Sequence, residues 1–298
     1  MAAVEPLRVP IMGTEAMAPL LYSLLRFTRP RTVVEGGCGY TTPFIAQALR
    51  DNHDDALGEH QLLLEKTRRY VDALDRAEAP IDAPSPMVQG LAARLAPPAN
   101  AAAARRQAWI QETPALADPT FYGAPHVPRL FAVERFSSGP RSASQVRSIL
   151  ADRQLTDFVT FHEGEFWAPE TLATLPPRLD FVWIDVEVTV RDALSLLGGP
   201  HGERLNPDGG MVAIHCMLTS KGGLKLFDFF KRHIERTKEP SFEVIGLVEP
   251  HKLWQNNCVL LRKISRWRPE PYDDAYASPR PARFEDAARA LLRDGDLG

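Results

Sequence analysis

The segment at residues 32–42 constrains the fold more than any other stretch of the sequence. Val33 and Val34 are β-branched and have the pattern of a buried strand end, and the glycines that follow them form a tight turn. Thr42 and Pro43 can begin a helix, because the first helical turn does not need the N–H that proline lacks. The order strand, glycine turn, helix is typical of a doubly wound α/β sheet, in which a ligand approaches the bare backbone of the turn.

The spacing of the glycines distinguishes two classes of ligand-binding turn. A dinucleotide fingerprint requires G-x-G-x-x-G and an acidic residue about twenty positions later. The run at 37–42 lacks the third glycine, and the neighbouring acid, Glu35, precedes the glycines. This spacing disfavours a dinucleotide site. The alternative is that the segment is an ordinary turn between a strand and a helix and binds no ligand.

The E-x-G-x-G pattern of this turn resembles motif I of the class I S-adenosylmethionine (SAM) methyltransferases. In that family the loop wraps the methionine part of SAM. The apolar helix predicted at 15–26 is similar to the opening helix of the caffeoyl-CoA and catechol O-methyltransferase branch, which lies over the SAM site. The resemblance implies that the turn residues bind the cofactor, namely Glu35, Gly36, Gly37, Gly39, Thr41 and Thr42.

The other strands and helices are predicted from hydrophobic periodicity and from turn residues. Strands are expected at 129–134, 158–161, 179–185, 211–215, 242–248 and 257–262. Helices are expected at 15–26, 44–49, 59–77, 101–111, 142–155, 224–234 and 284–292. These elements predict an α/β fold with a Rossmann-like, doubly wound, seven-stranded and mainly parallel sheet whose last strand is antiparallel, plus a mostly helical insertion.

The resemblance also assigns cofactor contacts to residues at the ends of later strands. Glu134 follows the second strand, where the acid of the family accepts both ribose hydroxyls, and a carboxylate suits a vicinal diol. Arg135 is its neighbour. Glu165 and Phe166 stand where the family often has Gly-Asp-Ala near the adenine, and an aromatic ring can pack against a purine. Asp185 ends the fourth strand and is expected to face the sulfonium and the substrate.

The metal ligands of the O-methyltransferase branch are only partly retained. That branch usually binds Mg²⁺ or Ca²⁺ through an aspartate after strand four and an Asp-Asn pair after strand five. Asp185 is present, but His215 and Cys216 replace the pair, so the set of hard oxygen ligands is lost. We therefore expect no metal. The alternative is a softer metal ion bound by Asp185, His215 and Cys216, for which the sequence shows no fourth ligand.

His215 is interpreted as a general base that acts together with Asp185, because imidazole titrates near neutral pH. The alternative is a histidine at the edge of the core that is merely hydrogen-bonded. Further candidates for the substrate pocket are Glu15, His126, Trp167, Glu187, His251 and Trp254.

The domain organisation follows from a delayed second strand. A doubly wound fold normally reaches that strand soon after its first helix, but a polar, alanine-rich passage intervenes here. We predict a SAM-binding core at 1–50 and 129–263. Residues 51–128 are interpreted as an insertion that serves as a lid or substrate module or as a dimer contact, and residues 264–298 as a C-terminal arm.

Composition limits the class of partner. The formal net charge is −3 and basic, aromatic-interleaved runs are absent, which argues against nucleic acid. No stretch approaches the length of about twenty apolar residues that a membrane helix needs. The three cysteines are far apart and are interpreted as reduced thiols of a cytoplasmic enzyme. A homodimer stays open.

We therefore predict a SAM-dependent methyltransferase that transfers a methyl group to an oxygen or nitrogen atom of a small molecule without a metal. One alternative is a nicotinamide-dependent oxidoreductase, which the missing third glycine disfavours. Another is a non-catalytic Rossmann-like binding protein.

Overall fold

A computed structural model describes residues 2–9, 12–75, 101–135, 142–237, 241–253, 255–264 and 281–295. The strands are β1 (Thr32–Gly36), β2 (Arg129–Glu134), β3 (Val159–Glu163), β4 (Phe181–Ile184), β5 (Met211–His215), β6 (Phe242–Val248) and β7 (Asn257–Lys263). The helices are α1 (Thr14–Thr28), α2 (Thr42–Asp75), α3 (Ala101–Gln111), α4 (Ser142–Asp152), α5 (Pro169–Thr174), α6 (Val190–Leu197), α7 (Pro200–Arg204), α8 (Lys221–Arg236) and α9 (Pro281–Gly295). Short 3₁₀ helices cover Ala2–Leu7 and Thr156–Phe158.

The strands form one seven-stranded sheet in the order β3-β2-β1-β4-β5-β7-β6. β1 to β5 pair in parallel, and β7 is antiparallel to both of its neighbours. The predicted Rossmann-like sheet is therefore confirmed. The strand order reverses between β1 and β4, and doubly wound folds bind ligands beyond the carboxyl ends of the strands at such a switch point.

Hydrophobic layers cover both faces of the sheet because successive side chains of a strand point to opposite sides. Val33 and Val34 are both fully buried, but they belong to different layers. Val33 packs in the layer that includes residues of α1, α2 and α4. Val34 packs in the layer that includes residues of α5, α6 and α8.

Helix α2 departs from the predicted pattern. The sequence predicts one helix through Leu49 and another at 59–77, but a single helix of 34 residues covers the interval. The connecting residues contain no proline, and Gly58 is their only glycine. One interior glycine costs a helix only about 1 kcal/mol relative to alanine, so the helix continues. None of the helices in the described parts of the chain is both long and apolar enough to cross a membrane.

The chain divides into two compact units, residues 1–52 with 127–268 and residues 53–126 with 269–298. The described part of the second unit has its own small hydrophobic core. Its buried members are Leu63, Tyr70, Val71, Trp109, Ile110 and Leu291.

Lys66 is a buried cation within the second unit, with 1% of its surface exposed. Its Nζ atom donates to the carbonyl oxygens of Trp109, Glu112 and Pro114 at 3.0, 2.8 and 2.6 Å. The ammonium also lies 4.1 Å from the centre of the Trp109 ring. Burial lowers the pKa of Lys66 to about 8, so most of these side chains are charged at neutral pH. The lysine thus satisfies carbonyl groups around the end of α3.

Candidate active site

The ends of three parallel strands are joined around the glycine turn. The N–H of Gly37 donates to a carbonyl oxygen near the end of β2 at 3.0 Å. The N–H of Asp185, just after β4, donates to the carbonyl of Gly36 at 2.8 Å. Because β1 to β5 are parallel, Glu134, Asp185 and His215 all lie at the same edge of the sheet.

Two glycines of the turn are required by close contacts. Gly37 has a φ of 94°, and a Cβ atom there would lie 2.9 Å from the carbonyl oxygen of Asp185. A Cβ atom on Gly36 would lie 2.7 Å from the Phe166 ring. The equivalent position on Gly39 is open, with no atom within 4 Å. The turn therefore presents bare backbone to a ligand at Gly39.

Glu35 lies underneath the turn and is fully buried. The Thr41 hydroxyl donates to its Oε1 atom at 2.6 Å, and the Thr42 hydroxyl accepts the N–H of Gly39 at 3.0 Å. Burial raises the pKa of Glu35 to about 8, against the opposite effect of the threonine hydroxyls. Its Oε2 atom is buried and makes no hydrogen bond within the described residues. These side chains shape the turn from inside the fold.

Glu134 contacts the turn from the end of β2. Its Oε2 atom accepts the N–H of Cys38 at 2.9 Å, and its Oε1 atom accepts the N–H of Arg135, also at 2.9 Å. Each carboxylate oxygen has a second lone pair, so both can still accept a hydroxyl group. Glu134 therefore joins the glycine turn to the place expected for a ribose.

The residues after β3 include an exposed carboxylate, a buried aromatic ring and a partly buried one. Glu165 forms an ion pair with Arg135, and their side chains are 60% and 57% exposed. Phe166 is 5% exposed and packs against Gly36 within the core. Trp167 is only partly buried, and its Nε1–H donates to the carbonyl oxygen of Glu187 at 2.9 Å. Phe166 thus supports the turn, and Trp167 is the more exposed aromatic residue.

His215 and Asp185 form a hydrogen-bonded pair at the ends of neighbouring strands. The His215 Nδ1 atom lies 2.7 Å from Asp185 Oδ1, and the two side chains are 2% and 21% exposed. A carboxylate only accepts hydrogen bonds, so Nδ1 carries a hydrogen. The His215 Nε2 atom is buried and makes no hydrogen bond within the described chain. Nδ1 is therefore occupied by Asp185, and Nε2 is the ring nitrogen that remains for another partner.

The surroundings of His215 favour its charged form. Burial by itself lowers the pKa of the imidazolium, but the neighbouring Asp185 carboxylate and the Cys216 side chain outweigh burial and raise that pKa to about 10. At neutral pH His215 is therefore mostly protonated, and the neutral form that can accept a proton is a minor species.

The donor atoms at this edge do not suit the divalent metal of the O-methyltransferase branch. Mg²⁺ and Ca²⁺ prefer six or more oxygen ligands. Here His215 is hydrogen-bonded to Asp185, and the Cys216 thiol donates to Gln255 Oε1 at 3.2 Å. Within the residues that the structure describes, no group of three or more His, Cys, Asp and Glu side chains could hold a metal ion.

Two of the predicted substrate residues, Glu15 and His251, belong to an ion-pair cluster. Glu15, at the start of α1, lies 2.9 Å from Lys252, which also lies 3.1 Å from Glu249. His251 is 72% exposed and lies 2.9 Å from the second oxygen of Glu249. This cluster joins the start of α1 to the turn between β6 and β7.

The last two predicted pocket residues are His126 and Trp254. His126 belongs to the second unit, where it is 5% exposed and its ring centre lies 5.3 Å from that of Phe121. Trp254 lies outside the described residues.

Sequence reasoning missed two residues that contact the turn after β5. Gln255 accepts the Cys216 thiol, and the Asn257 Oδ1 atom accepts the N–H of Leu218 at 2.7 Å. A signal was available, because the polar residues Asn256 and Asn257 directly precede the apolar run at 258–261.

A family model described as a methyltransferase domain matches residues 34–215, which is more than half of the chain. The chain belongs to this methyltransferase domain family. The match confirms the predicted SAM-dependent methyltransferase and sets aside the nicotinamide oxidoreductase. The matched part of the methyltransferase runs from β1 to the end of β5, and so contains Glu35, Glu134, Asp185 and His215.

Solved structures similar to this methyltransferase share little sequence with it. The O-methyltransferase from Bacillus cereus in complex with SAH is 12% identical, with 88% of this chain and 85% of that chain covered and a TM-score of 0.45. The O-methyltransferase TomG from Streptomyces achromogenes, involved in tomaymycin synthesis and solved with SAM, is 13% identical, with 87% and 83% covered and a TM-score of 0.46. Cofactor-bound Rv0187 from MTB is 13% identical, with 90% and 88% covered and a TM-score of 0.46. No curated protein matches the chain.

Proposed function

We propose that the methyltransferase transfers the methyl group of SAM to an oxygen or nitrogen atom of a small molecule, without a metal ion. In this proposal His215 accepts the proton that the acceptor atom loses, and Asp185 orients the imidazole. The observation that carries the proposal is the 2.7 Å hydrogen bond between His215 Nδ1 and Asp185 Oδ1 at the carboxyl ends of β5 and β4.

The residues that would hold SAM surround the glycine turn. SAM supplies a methyl group that is already activated by its sulfonium. The turn at 36–39 offers bare backbone for the methionine part, and Glu134 offers two carboxylate oxygens for the ribose hydroxyls. Glu165 and Trp167 are the polar and aromatic residues available for the adenine. Phe166 supports this site from beneath Gly36.

The chain must then orient the acceptor and remove its proton. Alignment of two reactants can supply much of the rate enhancement of a transfer reaction. Asp185 holds the Nδ1–H side of the imidazole, which directs the lone pair of neutral Nε2 toward the acceptor. Glu187, which follows β4 and is exposed, stays a candidate for substrate contact.

The proposed setting is cytoplasmic, with a small molecule rather than nucleic acid or a membrane as partner. The slightly negative net charge of −3 supports this, as do three cysteines that are free thiols. A homodimer is a further proposal, and light scattering of the purified protein tests it.

The proposed reaction is tested by turnover. SAM is incubated with the enzyme, EDTA and a panel of hydroxylated and amino compounds, and S-adenosylhomocysteine is measured. We expect SAM to bind in calorimetry and S-adenosylhomocysteine to form with part of the panel. Binding of SAM without turnover on any compound would instead favour a non-catalytic binding protein.

Glu134→Ala is expected to weaken SAM binding by about 1–3 kcal/mol, because charge-assisted hydrogen bonds to the ribose would be lost. The substitution also removes the acceptor of the Cys38 N–H in the glycine turn. Calorimetry measures the change, and Glu163→Ala at the exposed end of β3 is the control. Wild-type affinity in a folded Glu134→Ala protein would reject the assignment.

Turnover is expected to rise with pH from neutrality up to about 10, because only neutral His215 accepts a proton and its pKa is raised to about 10. Asp185→Asn should move this rise to lower pH, since the carboxylate that favours the imidazolium is gone. Initial rates at saturating SAM measure both profiles. A flat profile between pH 7 and 9 would contradict proton removal by His215.

The proposed insertion at 51–128 is expected to serve the substrate rather than the cofactor. Deleting much of it should leave SAM affinity nearly unchanged and impair methyl transfer, because the turn after β1 and Glu134 lie outside it. Calorimetry and turnover on the same preparation separate the two effects. Full activity in a folded deletion variant would show that the insertion is neither a lid nor a substrate module.

A further inference from the structure

The chain leaves β5 through a turn that is held by the start of β7. Cys216 follows His215 directly, and its N–H donates to the carbonyl oxygen of Asn257 at 3.0 Å. Its thiol donates to Gln255 Oε1 at 3.2 Å. Two residues further on, the N–H of Leu218 donates to Asn257 Oδ1 at 2.7 Å. Three hydrogen bonds therefore fix the backbone that follows His215.

Both sides of this contact have an unfavourable backbone conformation. Cys216 has a φ of 59° and Gln255 has a φ of 50°, although neither is glycine. A side chain disfavours the left-handed region, and such residues persist only where their surroundings determine the conformation. The hydrogen bond between the two side chains joins two strained positions, one of which is adjacent to His215.

Gln255 is itself held by the start of α1. Gly13 has a φ of 67°, and a Cβ atom there would lie 2.1 Å from the carbonyl oxygen of Gln255. Nearby in sequence, Lys252 lies 2.9 Å from Glu15, the second residue of α1. The turn between β6 and β7 therefore contacts the start of α1 on one side and Cys216, just after β5, on the other.

We propose that Gln255 is a positioning residue for His215, acting through Cys216. The inference rests on the proposed role of His215 as the proton acceptor. The hydrogen bond from Cys216 to Gln255 determines how the chain turns away from β5, and that turn sets the direction of the imidazole. Gln255 itself does not contact the reacting atoms. Its effect is to keep Nδ1 against Asp185 and to keep Nε2 directed at the acceptor.

The test follows the His215 imidazole with and without substrate. In ¹⁵N-histidine NMR spectra of the protein with S-adenosylhomocysteine, the His215 signal is identified by its loss in His215→Gln. Gln255→Leu and Cys216→Ala should each move the titration of His215 to lower pH, because a looser imidazole spends less time against Asp185. Each should also lower the kcat reached at high pH, where His215 is neutral in every variant, up to about tenfold, with the KM for SAM unchanged.

Three further variants make the test specific to the hydrogen bond. Cys216→Ser retains a donor and should restore both the titration and kcat. The double variant Cys216→Ala with Gln255→Leu should be no worse than Cys216→Ala alone, because Cys216→Ala already removes the contact to Gln255. Gln154→Leu is the matched control, since Gln154 also has a positive φ of 56° but follows α4.

The inference is overturned if folded Gln255→Leu protein keeps the wild-type titration and the wild-type kcat. It is also overturned if the effects of Cys216→Ala and Gln255→Leu multiply in the double variant. Failure of the proposed function is a different result, in which His215→Ala retains turnover. In that case a shifted His215 titration in Gln255→Leu still supports the positioning contact.

Discussion

Replacing His215 with alanine is expected to lower kcat about a hundredfold, which is the usual loss when a general base is removed. SAM affinity should stay nearly unchanged, because the expected cofactor contacts come from the glycine turn and from Glu134. The physical reason is the pairing of His215 with Asp185 and the buried Nε2 atom that makes no other hydrogen bond within the described residues. Steady-state rates and SAM calorimetry on the same preparation measure the two quantities.

Two controls separate proton removal from other roles of this edge. His233→Ala changes an exposed histidine of α8 and should leave kcat unchanged. Wild-type turnover should also persist in EDTA, because His215 and Cys216 replace oxygen ligands at this place. Inhibition by EDTA that Mg²⁺ reverses would show that a metal is bound after all. Near-normal turnover in folded His215→Ala would show that catalysis depends on alignment of the reactants and not on proton removal by His215.

Replacing Lys66 with methionine is expected to lower the free energy of unfolding of the second unit by about 3 kcal/mol. Methionine has a similar length but cannot donate, so the carbonyl groups of Trp109, Glu112 and Pro114 would lose a common partner. A buried acceptor left without its partner typically costs about 1–3 kcal/mol, and water can replace some of the lost bonds.

Urea unfolding measures this loss, and it should be followed by two probes because two units can unfold in separate steps. Lys225→Met on the exposed surface of α8 is the control and should change little. An unchanged unfolding transition in Lys66→Met would mean that the three carbonyl groups find other donors at no cost.

The sheet, and the place of the candidate site residues at one edge of it, could be predicted because their signals are local. A β-branched run, a glycine turn and a helix start are adjacent in the sequence, and parallel strands bring their carboxyl ends to one edge. Those two facts suffice to place Glu134, Asp185 and His215 together. The helical limits of α2 were less predictable, because a single glycine in a polar segment leaves helix and break nearly equal in free energy.

The rest of the site depends on contacts between residues far apart in the sequence. Phe166 was predicted as an aromatic ring that packs against a purine, and its contact with the Cβ-free face of Gly36 could not be read from the sequence. Gln255 and Cys216 carry no recognisable motif, and their hydrogen bond forms only when β7 lies beside β5. The buried position of Lys66 likewise depends on contacts between α2 and the end of α3. Periodicity does not encode such pairings.

The contact between Gly36 and Phe166 has an evolutionary consequence. The Phe166 ring occupies the space that any side chain at position 36 would need, at 2.7 Å from the Cβ position. Alanine at position 36 therefore clashes with phenylalanine at 166, but a smaller residue at 166 would make room for it. Phe166 can change to a smaller residue while position 36 stays glycine, whereas a side chain at position 36 needs a change at 166. The order of the two substitutions is thus constrained, with position 166 changing first or both changing together.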